Sequence, residues 1–442
     1  MSTTIPSDHM PTVAIIGAGC SGITALKNCL GQGLSTVCFE ANNDLGGNWI
    51  YSAEPSHSSV CETTHIISSK TLSAYLDFPM PEDYPDYPSH DQVLAYFRNY
   101  ADHFGLREHI RFNTRVARAE LQADESWQLT LADGSIEQFD YLLTANGHHH
   151  EARHPEGVSD AFTGRYLHSH DYKNNQTFRD ERVLVIGSGN SGCDCAVEIS
   201  RVAKKVDISI RRPHYIIPKF FLGKPSDTFN KSLQYLPGWL ARLGQKVTLR
   251  IQVGKYTEYG LEEPTEPVTK THPTLNSELL YKIRHGKVHP RRGVDRIDGN
   301  QITFKDGSKE EFDTIVAATG YKITFPFFDK AVVNYEEADR IPLYLRMFHP
   351  EYRSLIFIGL FQPQGAIWPL SDAQAQLAAA YIAGNYELPG NLAALAAADS
   401  DHIEQEFTRS KRHTIEVHYH PFLRRLLKEI GKAKVRRPVE VV

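Results

Sequence analysis

The 442-residue chain lacks any run of about 18 or more apolar residues, the length a membrane-spanning helix needs, so no membrane anchor is expected. It also lacks a basic segment followed by an apolar stretch at its start. Met1 to Pro11 is a short polar leader that runs straight into Thr12-Val-Ala-Ile-Ile16, and no secretory signal is expected. Cysteine is scarce. Cys20, Cys29, Cys38, Cys61, Cys193 and Cys195 include no CxxC pair and no Cys/His ligand spacing. That speaks against a disulfide framework and a metal centre, and it fits a reducing, cytoplasmic compartment. The run His148-His149-His150 cannot surround one tetrahedral ion without a strained backbone, so solvated or domain-contact roles are expected. Neither sign of charge is in excess. The 48 basic and 53 acidic residues leave −5, which points away from nucleic acid as a partner.

What is present is a globular composition, 41% apolar and 23% charged, at a length that implies two or three domains. The sequence also repeats itself. Gly17-Ala-Gly19-Cys-Ser-Gly22 and Gly187-Ser-Gly189-Asn-Ser-Gly192 lie 170 residues apart. Downstream, residues 133–147 (DGSIEQFDYLLTANG) and 306–320 (DGSKEEFDTIVAATG) agree at eight of fifteen positions with an offset of 173. Offsets this similar point to two related α/β domains. In each copy Asp-Gly signals a hairpin, and the apolar run that follows suits a buried parallel strand. Residues 213–290 show no βαβ rhythm and read as an insertion in the second domain. An Ala-rich helix is predicted from Ser371 to Ala383, with Ser371 and Asp372 at its N-terminus.

The Gly motifs gain meaning from context. A strand, Thr12 to Ile16, feeds the first loop, a helix pattern covers Ser21 to Leu30, and a second strand ends in Glu40. In such a βαβ unit the first glycine makes the turn and the second lets the backbone approach a pyrophosphate. The third lets the helix pack on the strand, and the helix N-terminus faces the anion. Glu40 suits an unphosphorylated ribose and repels a 2′-phosphate, so the first site should hold FAD or NAD. In the second unit the corresponding strand ends in Arg211-Arg212. Paired guanidinium groups suit a 2′-phosphate, hence NADP, although a solvated strand end is the other reading. A flavin and a hydride donor on one chain make an oxidoreductase.

With these motifs in place the chain resembles the class B flavin-containing monooxygenases. Phe162-Thr-Gly164-Arg-Tyr-Leu-His168-Ser-His-Asp-Tyr172 fits that family's FxGxxxHxxxY pattern. Related Baeyer–Villiger enzymes usually place Trp where Tyr172 stands, so the narrower resemblance is to the N- and S-oxygenating branch. Gly46-Gly-Asn-Trp49, Ala318-Thr-Gly-Tyr321 and Gly359 to Gln376 also match. The resemblance implies an α/β fold of two Rossmann-like (doubly wound) dinucleotide-binding domains, the NADPH domain inserted in the FAD domain. Residues 1–165 and 320–442 would form the FAD domain and 166–319 the NADPH domain, with the insertion at about 213–290.

Carried over residue by residue, Gly17, Gly19, Gly22, Glu40, Gly47, Asn48, Trp49, Thr319, Gly320 and Gln362 would contact FAD. Gly187, Gly189, Asn190, Ser191, Gly192, Arg211 and Arg212 would hold NADPH. His168 and Tyr172 would be structural. The family's flavin-facing segment corresponds to Ile67, Ser68 and Ser69, with Ile67 where an Asn is common. Isoleucine donates no hydrogen bond, so Ser68 or Ser69 would have to supply that function or the chemistry would differ. The implied activity is NADPH- and oxygen-dependent oxygenation of amine nitrogen or sulfide sulfur through a 4a-hydroperoxyflavin, with a small molecule and dioxygen as substrates. Ketone oxygenation and an uncoupled NADPH oxidase are the alternatives. A disulfide reductase would need a redox cysteine pair, and only Cys61 lies near the expected segment. A homodimer is left open.

Overall fold

The computed structural model describes residues 10–228, 238–407 and 414–434. Most of the polar leader, part of the expected insertion and the last residues lie outside them. Two parallel sheets organise the chain. In the first, β1 (Thr12–Ile16) is central, β2 (Ser35–Phe39) and β3 (Ile110–Arg111) extend one side, and β4 (Tyr141–Thr144) lies on the other. The second has β5 (Arg165–His168) at one edge and β6 (Arg182–Ile186) at its centre. β7 (Lys205–Ile210) and β8 (Val288–Arg292) flank β6 on one side, and β9 (Thr314–Ala317) joins it to β5 on the other. The chain then returns to the first sheet as β10 (Leu355–Phe357), beside β4. The second sheet is therefore built wholly from chain that lies between strands of the first.

The central strands are apolar because both their faces are covered. Val13, Ala14 and Ile15 in β1, and Val183, Leu184 and Val185 in β6, are fully buried. The internal repeat has a structural form. Each parallel sheet carries an antiparallel meander just before β4 or β9, and the repeated Asp-Gly closes a hairpin in both. The Oδ1 atoms of Asp133 and Asp306 accept from the N–H and hydroxyl of Ser135 and Ser308, which fixes the turns as Asx turns.

Helix α1 (Cys20–Gly31) follows the first Gly loop, and α2 (Asn190–Ile199) follows the second. The Ala-rich helix, α3 (Trp368–Ile382), starts three residues before the expected Ser371, with Pro369 in its first turn. Ser371 and Asp372 are fully buried inside it and do not cap it. Asp372 Oδ1 instead accepts from Thr24 Oγ1 (2.5 Å), Asn28 Nδ2 (3.0 Å) and Lys27 Nζ (3.3 Å), tying α3 to α1.

The two crossings between units run together: Glu151–Ala152 pairs antiparallel with Tyr321–Lys322. Histidines crowd this ribbon. The Tyr321 ring centroid lies 5.0 Å from that of His149, 5.5 Å from His168 and 5.9 Å from His170. The triple histidine is not a solvated run: His149 packs on Tyr321, and His150 Nε2 lies 3.0 Å from Thr324 Oγ1, both contacts within the first unit. His148 is buried, and desolvation pushes its pKa down to about 4 and that of His149 well below the usual value. Among the described residues no helix is long and apolar enough to cross a membrane.

Candidate functional site

Both Gly loops open into one cleft of about 1860 Å³. Single small-molecule pockets usually enclose ~300–1,000 Å³, so this space suits more than one ligand. Backbone geometry explains the glycines. Gly17 sits at φ +99°, and a Cβ on it would lie 2.8 Å from the Ala145 carbonyl oxygen. A Cβ on Gly22 would lie 1.7 Å from the Gly17 oxygen, so only glycine lets α1 begin this close to β1. The second loop repeats the arrangement, with Gly187 at φ +110° and a Cβ on Gly192 only 2.2 Å from the Gly187 oxygen. Gly19 differs. The nearest atom to a Cβ there is Gly47 Cα at 3.7 Å, an ordinary contact. No protein atom demands glycine at that position, which leaves ligand approach as the reason.

The helix starts point the same way. The helix at His90–His103 has a full capping box from Ser89 and Gln92. Neither α1 nor α2 has a side-chain cap, so their first-turn N–H groups remain for an anion in the cleft. Glu40 is buried, and its Oε2 accepts from the Ala18 N–H (2.8 Å). Its Oε1 accepts from the N–H (2.9 Å) and Nδ2 (2.7 Å) of Asn42. A carboxylate offers about four acceptor positions, so one remains for a ribose hydroxyl. Arg211 and Arg212 stand exposed on the cleft wall just beyond β7, and neither guanidinium forms an ion pair among the described residues.

Of the residues expected from sequence, the cleft is lined by Gly17, Gly19, Glu40, Gly47, Asn48, Trp49, Ile67, Ser68, Thr319, Gly320 and Gln362. Gly187, Gly189, Asn190, Ser191, Gly192, Arg211 and Arg212 line it too. Two do not. Gly22 lies behind the loop in the α1–β1 contact, so its part is packing. Ser69 turns away, its N–H donating to Asp227 Oδ2 (2.7 Å) and its hydroxyl lying 3.2 Å from that of Thr71. Ser68 lines the cleft with its hydroxyl 2.7 Å from that of Ser73. His168 is buried, and its Nδ1 accepts from the His170 N–H (3.1 Å). Tyr172 is buried at the cleft margin.

Sequence reasoning missed the props of the second loop, which come from the insertion. His214 Nε2 lies 2.7 Å from the Ser188 oxygen, and Thr274 Oγ1 donates to the same oxygen at 3.0 Å. Asn190 Oδ1 accepts from the Leu275 N–H at 3.0 Å. Isolated residues in a segment without a motif carry no sequence signal. Three thiols line the cleft where the sequence points to Cys61 alone: Cys20, Cys61 and Cys195. All six cysteines are free, and burial pushes Cys20 up to about 11 and raises Cys61 and Cys195 as well. Such thiols make poor redox nucleophiles.

Two dinucleotide sites, one ending in an acid and the other in cations, that share a cleft define a two-dinucleotide flavin oxidoreductase. The chain belongs to the flavin-binding monooxygenase-like family, which it matches over residues 10–437. It is 36% identical over 431 residues to flavin-containing monooxygenase 5 of Mus musculus, covering 92% of this chain and 80% of the relative. To flavin-containing monooxygenase 1 of Homo sapiens it is 37% identical over 404 residues, 85% of this chain and 74% of the relative. The S-allyl-L-cysteine S-oxygenase of Allium sativum shares the fold, with a TM-score of 0.73, 23% identity and coverage of 97% and 90%. So does cyclohexanone monooxygenase in an open crystal structure, with a TM-score of 0.71, 18% identity and coverage of 96% and 97%. The chain is thus a monooxygenase whose cofactors are FAD and NADPH.

Proposed function

We propose that this chain is an NADPH- and oxygen-dependent monooxygenase that oxygenates soft nucleophiles, an amine nitrogen or a sulfide sulfur, on small molecules. The observation that carries the reading is the shared cleft, in which both Gly loops and the Ile67–Ser68 segment face one space. In this reading residues 10–165 and 320–434 hold FAD, through the α1 N-terminus, Glu40, Asn48, Trp49 and Gln362. Residues 166–319 hold NADPH, through the α2 N-terminus and Arg211 with Arg212. When bound, the flavin supplies hydride acceptance and oxygen activation. The protein's part is to orient the two cofactors and to shield the reacting centre from water. Its apolar walls, among them Ile67, Ile367 and Trp368, serve the shielding. The scarcity of cysteine supports a reducing, cytoplasmic setting.

The names of two relatives favour this substrate class: dimethylaniline monooxygenase [N-oxide-forming] 2 of Rattus norvegicus, 32% identical, and the Allium S-oxygenase. The decisive experiment supplies labelled dioxygen to the NADPH-reduced enzyme with a panel of tertiary amines, thioethers and ketones. Label in an N-oxide or S-oxide supports the proposal, and label mainly in an ester or lactone transfers the enzyme to the ketone class. Peroxide equal to the NADPH consumed, with no labelled product, makes it an NADPH oxidase.

A further inference from the structure

The insertion does more than prop the second Gly loop. Residues 271–276 run from that loop to the C-terminal part of the first unit, and side chains fix both ends. At one end Thr274 and Leu275 hold Ser188 and Asn190, as described above. Asn276 adds to this end: its Nδ2 donates to Asp194 Oδ1 of α2 at 2.7 Å. At the other end Gln364 Nε2 donates to the Thr271 oxygen at 2.6 Å. Beside it His272 Nδ1 lies 3.1 Å from Glu416 Oε2, with side chains 10% and 1% exposed.

Glu416 is no isolated acid. It lies on a short strand in register with Gln362–Gln364, Gln362 opposite Glu416. Gln362 is the residue expected near the flavin, and Thr271, His272, Gln362 and Glu416 all line the cleft. Other cleft histidines are bound differently. His57 meets the Gly47 oxygen, His65 the Thr63 oxygen and His154 the Tyr166 hydroxyl. His272 instead pairs with a carboxylate, that of Glu416. An imidazole held at Nδ1 by a buried carboxylate is fixed in ring orientation. Burial of both partners makes the pair costly to break and sensitive to removal of either.

We propose that residues 271–276 form a strap coupling the NADPH loop to the Gln362–Gln364 strand, with His272 and Glu416 as positioning residues that set the hydride donor against the flavin. The proposal rests on the two-cofactor reading above. Its two ends make different demands. Thr274 holds the loop itself, so Thr274→Val should weaken NADP⁺ binding. His272 and Glu416 hold one unit against the other, so their loss should slow flavin reduction while NADP⁺ still binds.

The test uses the oxidised, FAD-loaded full chain. NADP⁺ affinity is measured by titration calorimetry, NADP⁺ protection of residues 213–290 by limited proteolysis, and flavin reduction by anaerobic mixing with NADPH. For His272→Ala and Glu416→Gln we expect reduction to slow at least tenfold at saturating NADPH. NADP⁺ affinity should stay within about threefold of the parent, and NADP⁺ protection of the insertion should be lost. His272→Gln, whose amide can still meet Glu416, should recover part of the rate and of the protection. Unchanged reduction with intact protection overturns the strap. Equal losses in affinity for Thr274→Val and His272→Ala overturn the division of roles. If the parent protein binds no NADP⁺ at all, the two-cofactor reading itself fails. Flavin content of each variant, read from its absorbance, separates a positioning defect from a folding one.

Discussion

Gly22→Ala isolates one steric demand of the first loop. The added methyl would start 1.7 Å from the Gly17 oxygen, where about 3.0 Å is the closest approach real Cβ atoms show, so some 1.3 Å must open. The strand side cannot yield. Gly17 is held by its N–H bond to the Phe39 oxygen (2.8 Å), and its own positive φ leaves it against Ala145. The retreat therefore falls on α1, which Thr24 ties to the buried Asp372 of α3 at 2.5 Å. Overpacking of this kind costs ~1–3 kcal/mol. With ~2–4 °C of Tm per kcal/mol for domains of roughly 150–250 residues, a drop of about 2–12 °C is expected. The α1 N-terminus also moves away from where the pyrophosphate must sit, so the purified variant should carry little FAD. Gly31→Ala is the control at the other end of the same helix, because nothing lies within 4 Å of a Cβ there. It should be neutral or stabilising by ~0.4–1 kcal/mol. The measurements are flavin absorbance per chain and differential scanning calorimetry. A Gly22→Ala protein with full flavin and an unchanged melt would refute the packing argument.

Four further outcomes are expected. Arg211→Ala with Arg212→Ala removes charge-assisted contacts of ~1.5–3 kcal/mol each; because both are exposed, the low end applies to each, ~3 kcal/mol together, and KM for NADPH should rise roughly a hundredfold. KM for NADH should barely move, and equal rises for both cofactors would count against the 2′-phosphate reading. Asp372→Ala leaves the buried Thr24 hydroxyl and the Asn28 amide without their acceptor, while Lys27 keeps Asp77 at 2.6 Å, and should destabilise by ~1–3 kcal/mol in urea melts. Burial holds His148 and His168 neutral, each with a pKa pushed down to about 4 from 6.5. The unfolded chain binds those protons first, so stability should be intact above pH 6.5 and fall as pH drops towards 4, and His148→Gln with His168→Gln should flatten that slope in pH-dependent melts. Ile67→Asn places a donor on the cleft wall, and the ratio of released peroxide to oxygenated product should fall; an unchanged ratio would show that Ile67 does not control coupling.

The sequence by itself determined the duplicated α/β plan, the two Gly loops and the sign of charge beyond each, Glu40 in one and Arg211 with Arg212 in the other. These are local matters. A glycine motif, the strand before it and the helix after it lie within about 30 residues, so periodicity and turn chemistry write them directly into the chain. The tertiary structure decided what depends on contacts between distant segments. Asp372, read as a helix start, is an internal partner of α1, because only packing shows that a carboxylate 348 residues from Thr24 bonds to it. Ser69, expected in the flavin-facing segment, stands outside the cleft lining, its N–H held by Asp227 from 158 residues away and its hydroxyl set beside Thr71. Gly22 fills the packing role that the motif gives its third glycine, and only the fold shows that it stands back from the cleft lining. The strap is the extreme case. His272 and Glu416 are 144 positions apart, each in a segment without a motif, and no local pattern could have paired them. Folding brings them together because the second unit is inserted in the first, and the insertion's loop comes to lie against the strand Glu416–His418.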